Sequence, residues 1–176
     1  MATNPWYVIT GGPCAGKTTL IHELQRRGYR VVEEAARSYI EEEQAKGRSV
    51  EDIRKDKVAV QRTLLAKKIA TERNLPKDEV IFFDRGMHDS ITYFRVAGVP
   101  DGDPELHEAI RNTSYRKAFL LELLPFVNDP ARTEDPETAK AIHHMLHKDY
   151  EEAGVEVLDV PILPTSERAD FVLAHL

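Results

Sequence analysis

Eight residues near the start of the chain have the types and spacing of a phosphate-binding loop. Residues 11–18 read GGPCAGKT and match the pattern G-x-x-x-x-G-K-[ST]. The glycines let backbone N–H groups surround a phosphate, the lysine can bridge the β- and γ-phosphates, and the threonine can ligate Mg²⁺. The pattern predicts these nucleotide-binding residues: Gly11, Gly12, Pro13, Cys14, Ala15, Gly16, Lys17, Thr18 and Thr19.

The segments on either side of this loop support the same interpretation. The apolar run WYVI at residues 6–9 precedes the loop, and the helix-compatible stretch 18–27 follows it. A strand, a glycine-rich loop and a helix in this order place the phosphate at the N-terminus of a helix, where the dipole and the free N–H groups favour an anion. We therefore predict a nucleoside-triphosphate site.

An aspartate and an arginine follow another apolar run. Asp84 and Arg85 come directly after residues 80–83. Ligands of open α/β sheets bind outside the carboxyl ends of the strands, so this pair should face the loop. Asp84 can hold Mg²⁺ or accept a proton from a substrate hydroxyl, and Arg85 can bind an acceptor or phosphate oxygen. The alternative is that Asp84 caps the next helix and Arg85 forms a surface ion pair.

The residue after the aspartate bears on the reaction. ATPases with an aspartate at the end of this strand usually carry a second acid next, which activates water. Arg85 stands there instead. The sequence therefore favours transfer to a bound acceptor over hydrolysis.

Two glutamates end a further apolar run at residues 29–33. Neighbouring side chains of a strand point to opposite sides, so we expect only one of Glu33 and Glu34 to face the cleft, and we favour Glu34. It can bind or deprotonate an acceptor hydroxyl. The alternative is an acid that interacts with a helix dipole. Arg37, in the same run, is a further candidate for acceptor binding.

Two other charged residues are candidates for the site. Asp89 lies about one helical turn beyond Asp84 and either contacts the acceptor or caps the helix. Arg132 lies in the polar loop 125–135 and can close over the γ-phosphate as a lid residue that excludes water. The alternative for Arg132 is a solvated loop side chain.

Short apolar runs alternate with helix-compatible stretches along the chain, which is typical of parallel βαβ units. Continuously apolar runs fit strands that are buried on both faces. We predict strands at 6–10, 29–33, 80–83, 118–121 and 155–158. We predict helices at 35–46, 50–73, 87–97, 104–113, 136–152 and 165–176, with Asp135 as an N-cap.

Two groups of side chains on these helices are interpreted as surface features. His143, His144 and His147 have helical spacing but no nearby cysteine or acid pattern, which favours a surface group over a metal site. Basic residues interleaved with aliphatic residues in 50–73 predict a solvated helix face. They are Arg54, Lys55, Lys57, Arg62, Lys67, Lys68 and Arg73.

The bulk composition limits the classes of function. A chain of 176 residues fits one domain, 1–176. A net charge of −6 argues against a nucleic-acid or membrane surface, and no stretch has the apolar length of a membrane span. Cys14 is the only cysteine, which excludes an internal disulfide and suits the cytoplasm. The first residues run directly into a strand, so we expect no signal peptide.

Taken together, these motifs resemble a known family. Residues 9–20, VVEEAAR at 31–37, FDRG at 83–86 and LLELLPF at 120–126 resemble P-loop kinases and ATPases of the AAA-like predicted ATPase family. That family is related to the nicotinamide riboside kinase domain of a bacterial NAD-biosynthesis regulator. The run RTED at 132–135 is also similar, and the resemblance extends through nearly the whole chain.

The resemblance implies a three-layer α/β fold of nucleoside- or nucleotide-kinase type, with a five-stranded parallel sheet in the order 2-3-1-4-5. It implies that Asp84 is the catalytic or magnesium-linked acid and that Arg132 is the lid residue. We expect the helical regions 35–73 and 87–114 to shape the acceptor pocket.

Two functions remain open on the sequence. The first is a kinase that transfers the γ-phosphate of Mg·ATP to a nucleoside-, nucleotide- or metabolite-like acceptor, with Lys17, Glu34, Asp84 and Arg132 as catalytic residues. The second is a regulatory ATPase or GTPase switch without an acceptor. The sequence contains no N-K-x-D tetrapeptide of the kind that selects guanine.

Overall fold

The computed structural model describes residues 4–99, 103–125 and 135–176. The strands are β1 (Trp6–Thr10), β2 (Arg30–Val32), β3 (Ile81–Asp84), β4 (Lys117–Leu121) and β5 (Val157–Val160). All four pairings are parallel and the order is β2-β3-β1-β4-β5, which confirms the predicted fold. The helices are α1 (Lys17–Arg26), α2 (Ala35–Ala45), α3 (Val50–Arg54), α4 (Lys57–Arg73), α5 (Asp89–Val96), α6 (Pro104–Asn112), α7 (Pro136–Glu152) and α8 (Thr165–Ala174).

Helices cover both faces of the sheet and make three layers. Alternate residues of β1 point to opposite faces. Trp6 and Val8 pack in one core cluster with side chains from α4, α5, α6 and α7. Tyr7 and Ile9 pack in another cluster with α1 and α8. The central strand is therefore buried on both sides, as its continuous apolar run predicts.

The helical arm between β2 and β3 differs from the prediction. The stretch 50–73 forms two helices, α3 and α4, rather than one. Asp56 separates them because its carboxylate accepts a hydrogen bond from the backbone N–H of Ala59 at 2.9 Å and so caps α4. By contrast, Asp135 caps α7 as predicted, accepting from the N–H groups of Glu137 and Thr138 at 3.0 Å each.

Two strands also have shifted ends. Strand β2 ends at Val32, so both glutamates lie beyond it. Strand β5 begins at Val157 because the preceding residues close α7: Gly154 and Val155 donate to backbone carbonyls of that helix.

The register of the sheet places the candidate residues at one edge. Ile9 pairs with Asp84, and Val32 pairs with Phe83, so β1, β2 and β3 end at nearly the same level. The segments that follow these strands therefore meet at the carboxyl edge of the sheet. No helix in the described parts of the chain is long and apolar enough to cross a membrane.

Candidate active site

The phosphate-binding loop links β1 to α1 in a strained backbone conformation. Gly11 and Gly16 have φ angles of 137° and 83°, and Cys14, which is exposed, has a φ of 65°. A Cβ atom on Gly11 would lie 2.8 Å from the carbonyl oxygen of Leu121. Only glycine combines this φ with such a close approach. The loop geometry therefore accounts for the first glycine of the sequence pattern.

Helix α7 covers one side of the loop. A Cβ atom on Gly12 would lie 2.8 Å from the carbonyl oxygen of Ala139, so the second glycine is also required by close packing. The N–H group of Gly12 donates to Nδ1 of His143 at 3.4 Å. His143 is thus a neighbour of the loop rather than a surface residue, which corrects part of the prediction for the histidine group. Within the described residues, no group of three or more His, Cys, Asp or Glu side chains could hold a metal ion.

Lys17 begins α1 and lies inside the loop. Its side chain is buried, and its Nζ donates to the carbonyl oxygen of Gly12 at 2.8 Å. Burial, with the nearby Arg85 cation, lowers the pKa of Lys17 to about 7. An anion bound in the loop would favour the charged ammonium group, so the site is suited to a phosphate.

Asp84 ends β3 and faces this loop. It is 5% exposed, and burial together with the Glu34 carboxylate raises its pKa to about 6. Within the described residues, only Asp84 Oδ1 and His88 Nδ1 are buried side-chain atoms without a hydrogen-bond partner. A buried carboxylate oxygen without a partner is costly. The oxygen is thus available to a ligand.

Asp84 and Thr18 fit a magnesium site. Both line a small cleft of about 20 Å³ beside the loop, and both offer the oxygen atoms that Mg²⁺ prefers. The unpartnered Oδ1 atom of Asp84 is an acceptor that a cation would satisfy. Other residues of this cleft are Ile21, His22, Glu33, Glu34 and Arg37.

Both glutamates after β2 therefore line the cleft, although we expected only one to do so. The expectation assumed that strand geometry continued to residue 34. Because β2 ends at Val32 and Glu34 is the N-cap residue of α2, the alternation of side chains stops before these positions.

Arg85 connects the main parts of the site. Its φ of 66° is rare for a residue with a side chain. Its guanidinium donates to Glu34 Oε1 at 3.1 Å, to Asp89 Oδ1 at 3.2 Å and to the carbonyl oxygen of Gly11 at 3.4 Å. The arginine therefore links the phosphate loop to both neighbouring acids, instead of forming a surface ion pair.

Asp89 accepts a hydrogen bond from Arg85 and holds it in place. It is fully buried in the first turn of α5. Its carboxylate accepts hydrogen bonds from the Thr10 hydroxyl at 2.7 Å, the Gly86 N–H at 2.9 Å and the Tyr150 hydroxyl at 2.5 Å. With its oxygens occupied in this way, Asp89 is placed to hold Arg85, and the geometry favours positioning over direct contact with an acceptor.

A larger cleft of about 280 Å³ opens between α2 and α4. Phe83 and Arg85, at the carboxyl end of β3, line this cleft. Helix α4 supplies Lys68, which donates to the carbonyl oxygen of Gly86 at 2.8 Å and to the Ser90 hydroxyl at 3.0 Å. The solvated-face prediction was therefore wrong for Lys68. The remaining lining residues are Val32, Glu33, Ala35, Ser38, Lys67, Ala70, Thr71 and Glu72.

The structure brings most of the predicted site residues together. Lys17, Thr18, Glu34, Arg37 and Asp84 surround the small cleft or the loop beside it. Arg132 and the segment 126–134 lie outside the described residues, so the lid prediction stays a prediction. Sequence reasoning missed Lys68 of α4, which binds the carbonyl oxygen of Gly86, and Arg168 of α8, which binds the carbonyl oxygen of Ala15 in the phosphate loop.

The sheet order and the phosphate-binding loop after the central strand define a P-loop nucleotide-binding protein with a kinase-like fold. A family model described as an AAA domain matches residues 6–168, and the chain belongs to this family. No curated protein sequence matches the chain.

Solved structures show the same fold. A NadR protein in complex with NR has a TM-score of 0.73 and 18% identity, and covers 97% of this chain and 50% of its own. A NadR protein in complex with NAD and AMP-PNP has the same TM-score and identity, and covers 97% of this chain and 48% of its own. The chain thus spans about half the length of these NadR chains. Their likeness shows a shared fold, as the resemblance of the sequence motifs implies.

A deoxyadenosine kinase from M. mycoides, solved with the products dCMP and a flexible dCDP bound, has a TM-score of 0.63 and 14% identity. The match covers 97% of both chains. At these identities the likeness concerns the fold, and the reaction has to be argued from the site.

Proposed function

We propose that this chain is an ATP-dependent small-molecule kinase. It transfers the γ-phosphoryl group of Mg·ATP to a hydroxyl group of a nucleoside-, nucleotide- or other metabolite-like acceptor. The observation that carries the proposal is the ion pair between Arg85 and Glu34, because it joins the walls of two clefts. Glu34 lines the small cleft beside the phosphate loop, and Arg85 lines the larger cleft between α2 and α4.

On the donor side, the loop N–H groups bind the phosphates and Lys17 neutralises charge that develops on the transferred group. Thr18 and Asp84 would hold Mg²⁺. When bound, the ion supplies charge neutralisation across the β- and γ-phosphate oxygens. Arg132 is proposed to close over the γ-phosphate from the loop 125–135.

On the acceptor side, the cleft between α2 and α4 is large enough for a small metabolite, near the lower end of typical ligand pockets. A switch protein without an acceptor has no need of such a cleft next to the arginine that contacts its phosphate loop. Arg85 binds an oxygen of the acceptor, and Arg37 is a second candidate for this contact. Glu34, held by Arg85, accepts the proton of the attacking hydroxyl.

Filling the acceptor cleft should separate transfer from nucleotide binding. Ala70 lines the cleft, whereas Ala66, which lies one helical turn earlier on the same exposed face of α4, does not line it. We expect Ala70→Trp to reduce label transfer from γ-labelled ATP into a small-molecule extract by about a hundredfold, because the indole occupies the acceptor space. Nucleotide affinity, measured by calorimetry, should stay as in the wild type.

The matched variant for this experiment is Ala66→Trp, which should retain both activities. Loss of transfer in both variants, or in neither, would argue against an acceptor in this cleft.

The rate of transfer should fall as the pH drops through about 6. Burial and Glu34 raise the pKa of Asp84 to about 6, so this carboxyl becomes protonated and loses its affinity for Mg²⁺ below that pH. The acid limb of a kcat/KM profile reports this group in the free protein. Because Mg²⁺ binds the ionised form, raising its concentration should move the limb to lower pH. An acid limb that stays at the same pH at every Mg²⁺ concentration would show that Asp84 does not bind the metal.

A further inference from the structure

The side chain of Arg168, in helix α8, contacts the backbone of the phosphate loop. Arg168 is 3% exposed, and its guanidinium binds three backbone carbonyl oxygens. Nη1 donates to the carbonyl oxygen of Ala15 at 2.7 Å, Nε to that of Pro161 at 3.0 Å, and Nη2 to that of Glu122 at 3.3 Å. These carbonyls belong to the phosphate loop and to the segments that follow β5 and β4. The rigid fork of one arginine thus ties the loop to two neighbouring strand ends.

The bond to Ala15 determines the direction of the next amide. The peptide between Ala15 and Gly16 is trans and planar, so its carbonyl oxygen and its N–H group point in opposite directions. Arg168 holds the oxygen on the α8 side of the loop. The N–H group of Gly16 therefore points away from α8, toward the inside of the loop where a phosphate would bind.

Without this bond the peptide would be free to rotate. Gly16 has a φ of 83°, and glycine adopts negative φ as readily as positive φ. Rotation of the Ala15–Gly16 peptide would turn a carbonyl dipole toward the phosphate in place of an N–H group. The glycine that the loop requires thus also permits this rotation, and the hydrogen bond from Arg168 opposes it.

We propose that Arg168 is a positioning residue of the phosphate loop, fixing the Ala15–Gly16 peptide with its N–H group directed at the triphosphate. The inference rests on the proposed nucleotide site but does not depend on the acceptor or on the transfer reaction.

The test compares Arg168→Met and Arg168→Lys with the wild type. The probes are AMP-PNP and inorganic tripolyphosphate, each with Mg²⁺, titrated by calorimetry. We expect Arg168→Met to weaken both by about tenfold to a hundredfold, as for loss of a hydrogen bond to a charged group. Arg168→Lys keeps the charge but not the fork, and should lose affinity by a smaller factor. An equal loss for both probes places the effect at the phosphates rather than at the base.

The matched control is Arg27→Met. Arg27 also joins the first helix to α8, through Asp170 and Ser166, but its contacts do not touch the loop. The Arg27→Met variant should keep wild-type affinity for both probes. Wild-type affinity in Arg168→Met, or an equal loss in Arg27→Met, would overturn the inference. Absence of binding by the wild type would instead refute the nucleotide site, so the two failures are distinguishable.

A second measurement detects the peptide itself. In the complex with saturating AMP-PNP and Mg²⁺, at a temperature where all variants are folded, hydrogen exchange at the Gly16 amide should be faster in both Arg168 variants than in the wild type, because the N–H group is held on a phosphate for less of the time. Exchange at Val8 in the central strand should stay unchanged. Equal exchange at Gly16 in all proteins would contradict the positioning role.

Discussion

Replacing Asp84 with asparagine should abolish most phosphoryl transfer while leaving nucleotide binding largely intact. Asparagine keeps the size of the side chain but removes the charge that would hold Mg²⁺. Removal of one preorganised electrostatic group from an active site lowers the rate by about a hundredfold to a thousandfold. Steady-state transfer from γ-labelled ATP and calorimetry with AMP-PNP would measure the two effects separately.

The same substitution should raise the stability of the protein. The fold raises the pKa of Asp84 from 3.8 to about 6, so the ionised carboxylate destabilises the native state at neutral pH. We expect Asp84→Asn to gain about 1 to 3 kcal/mol in the free energy of unfolding at pH 7. The gain should shrink as the pH falls below about 6, because the wild-type carboxyl then becomes neutral as well.

Asp78→Asn provides the control, since Asp78 is exposed on the turn before β3. It should change neither transfer nor stability. Unchanged turnover in Asp84→Asn would show that Asp84 takes no part in the reaction. A lower free energy of unfolding in this variant would contradict the destabilising effect assigned to the buried carboxylate.

Replacing Lys17 with methionine should affect both binding and transfer. Methionine has a similar length but no charge, so the loop loses the cation that contacts the phosphates. We expect transfer to fall on the order of a thousandfold, and affinity for AMP-PNP to fall by about tenfold or more. The measurements are transfer rates at saturating ATP and calorimetric titration.

Binding of nucleotide to the wild type should also take up protons near pH 8, since burial and Arg85 lower the pKa of Lys17 to about 7 and the phosphates raise it again. Lys17→Met should lose this uptake, whereas Lys55→Met, at an exposed position after α3, should retain it. Wild-type proton uptake in Lys17→Met would show that another group is responsible.

The parts of the fold that depend on local sequence were predictable. The phosphate loop is encoded by eight neighbouring residues, and the strands by short apolar runs. The parallel sheet and its order agree with the resemblance to P-loop kinases. The position of Asp84 at the carboxyl end of its strand followed from the general rule for open α/β sheets.

The contacts that complete the site were not predictable in the same way. Arg168 binds a carbonyl 153 residues earlier in the chain, and the pattern of α8 gives no sign of this contact. Lys68 sits among other basic residues of α4, and only packing of that helix against the turn after β3 distinguishes it from solvated neighbours. The end of β2, which brings both glutamates to the cleft, depends on where pairing with β3 stops.

Arg85 illustrates an intermediate case. Its type and position indicated an oxyanion contact, but its bonds to Glu34, Asp89 and Gly11 depend on a left-handed φ that no sequence rule assigns to arginine.

The central claim is that a phosphoryl group moves from the loop at residues 11–18 to a hydroxyl group in the cleft between α2 and α4. Incubation of the protein with γ-labelled ATP, Mg²⁺ and a library of nucleosides, nucleotides and other hydroxylated metabolites tests it most directly. The account predicts label in at least one small-molecule acceptor, lost in Ala70→Trp and in Asp84→Asn. Label that appears only in inorganic phosphate, at a rate that no acceptor changes, would contradict it.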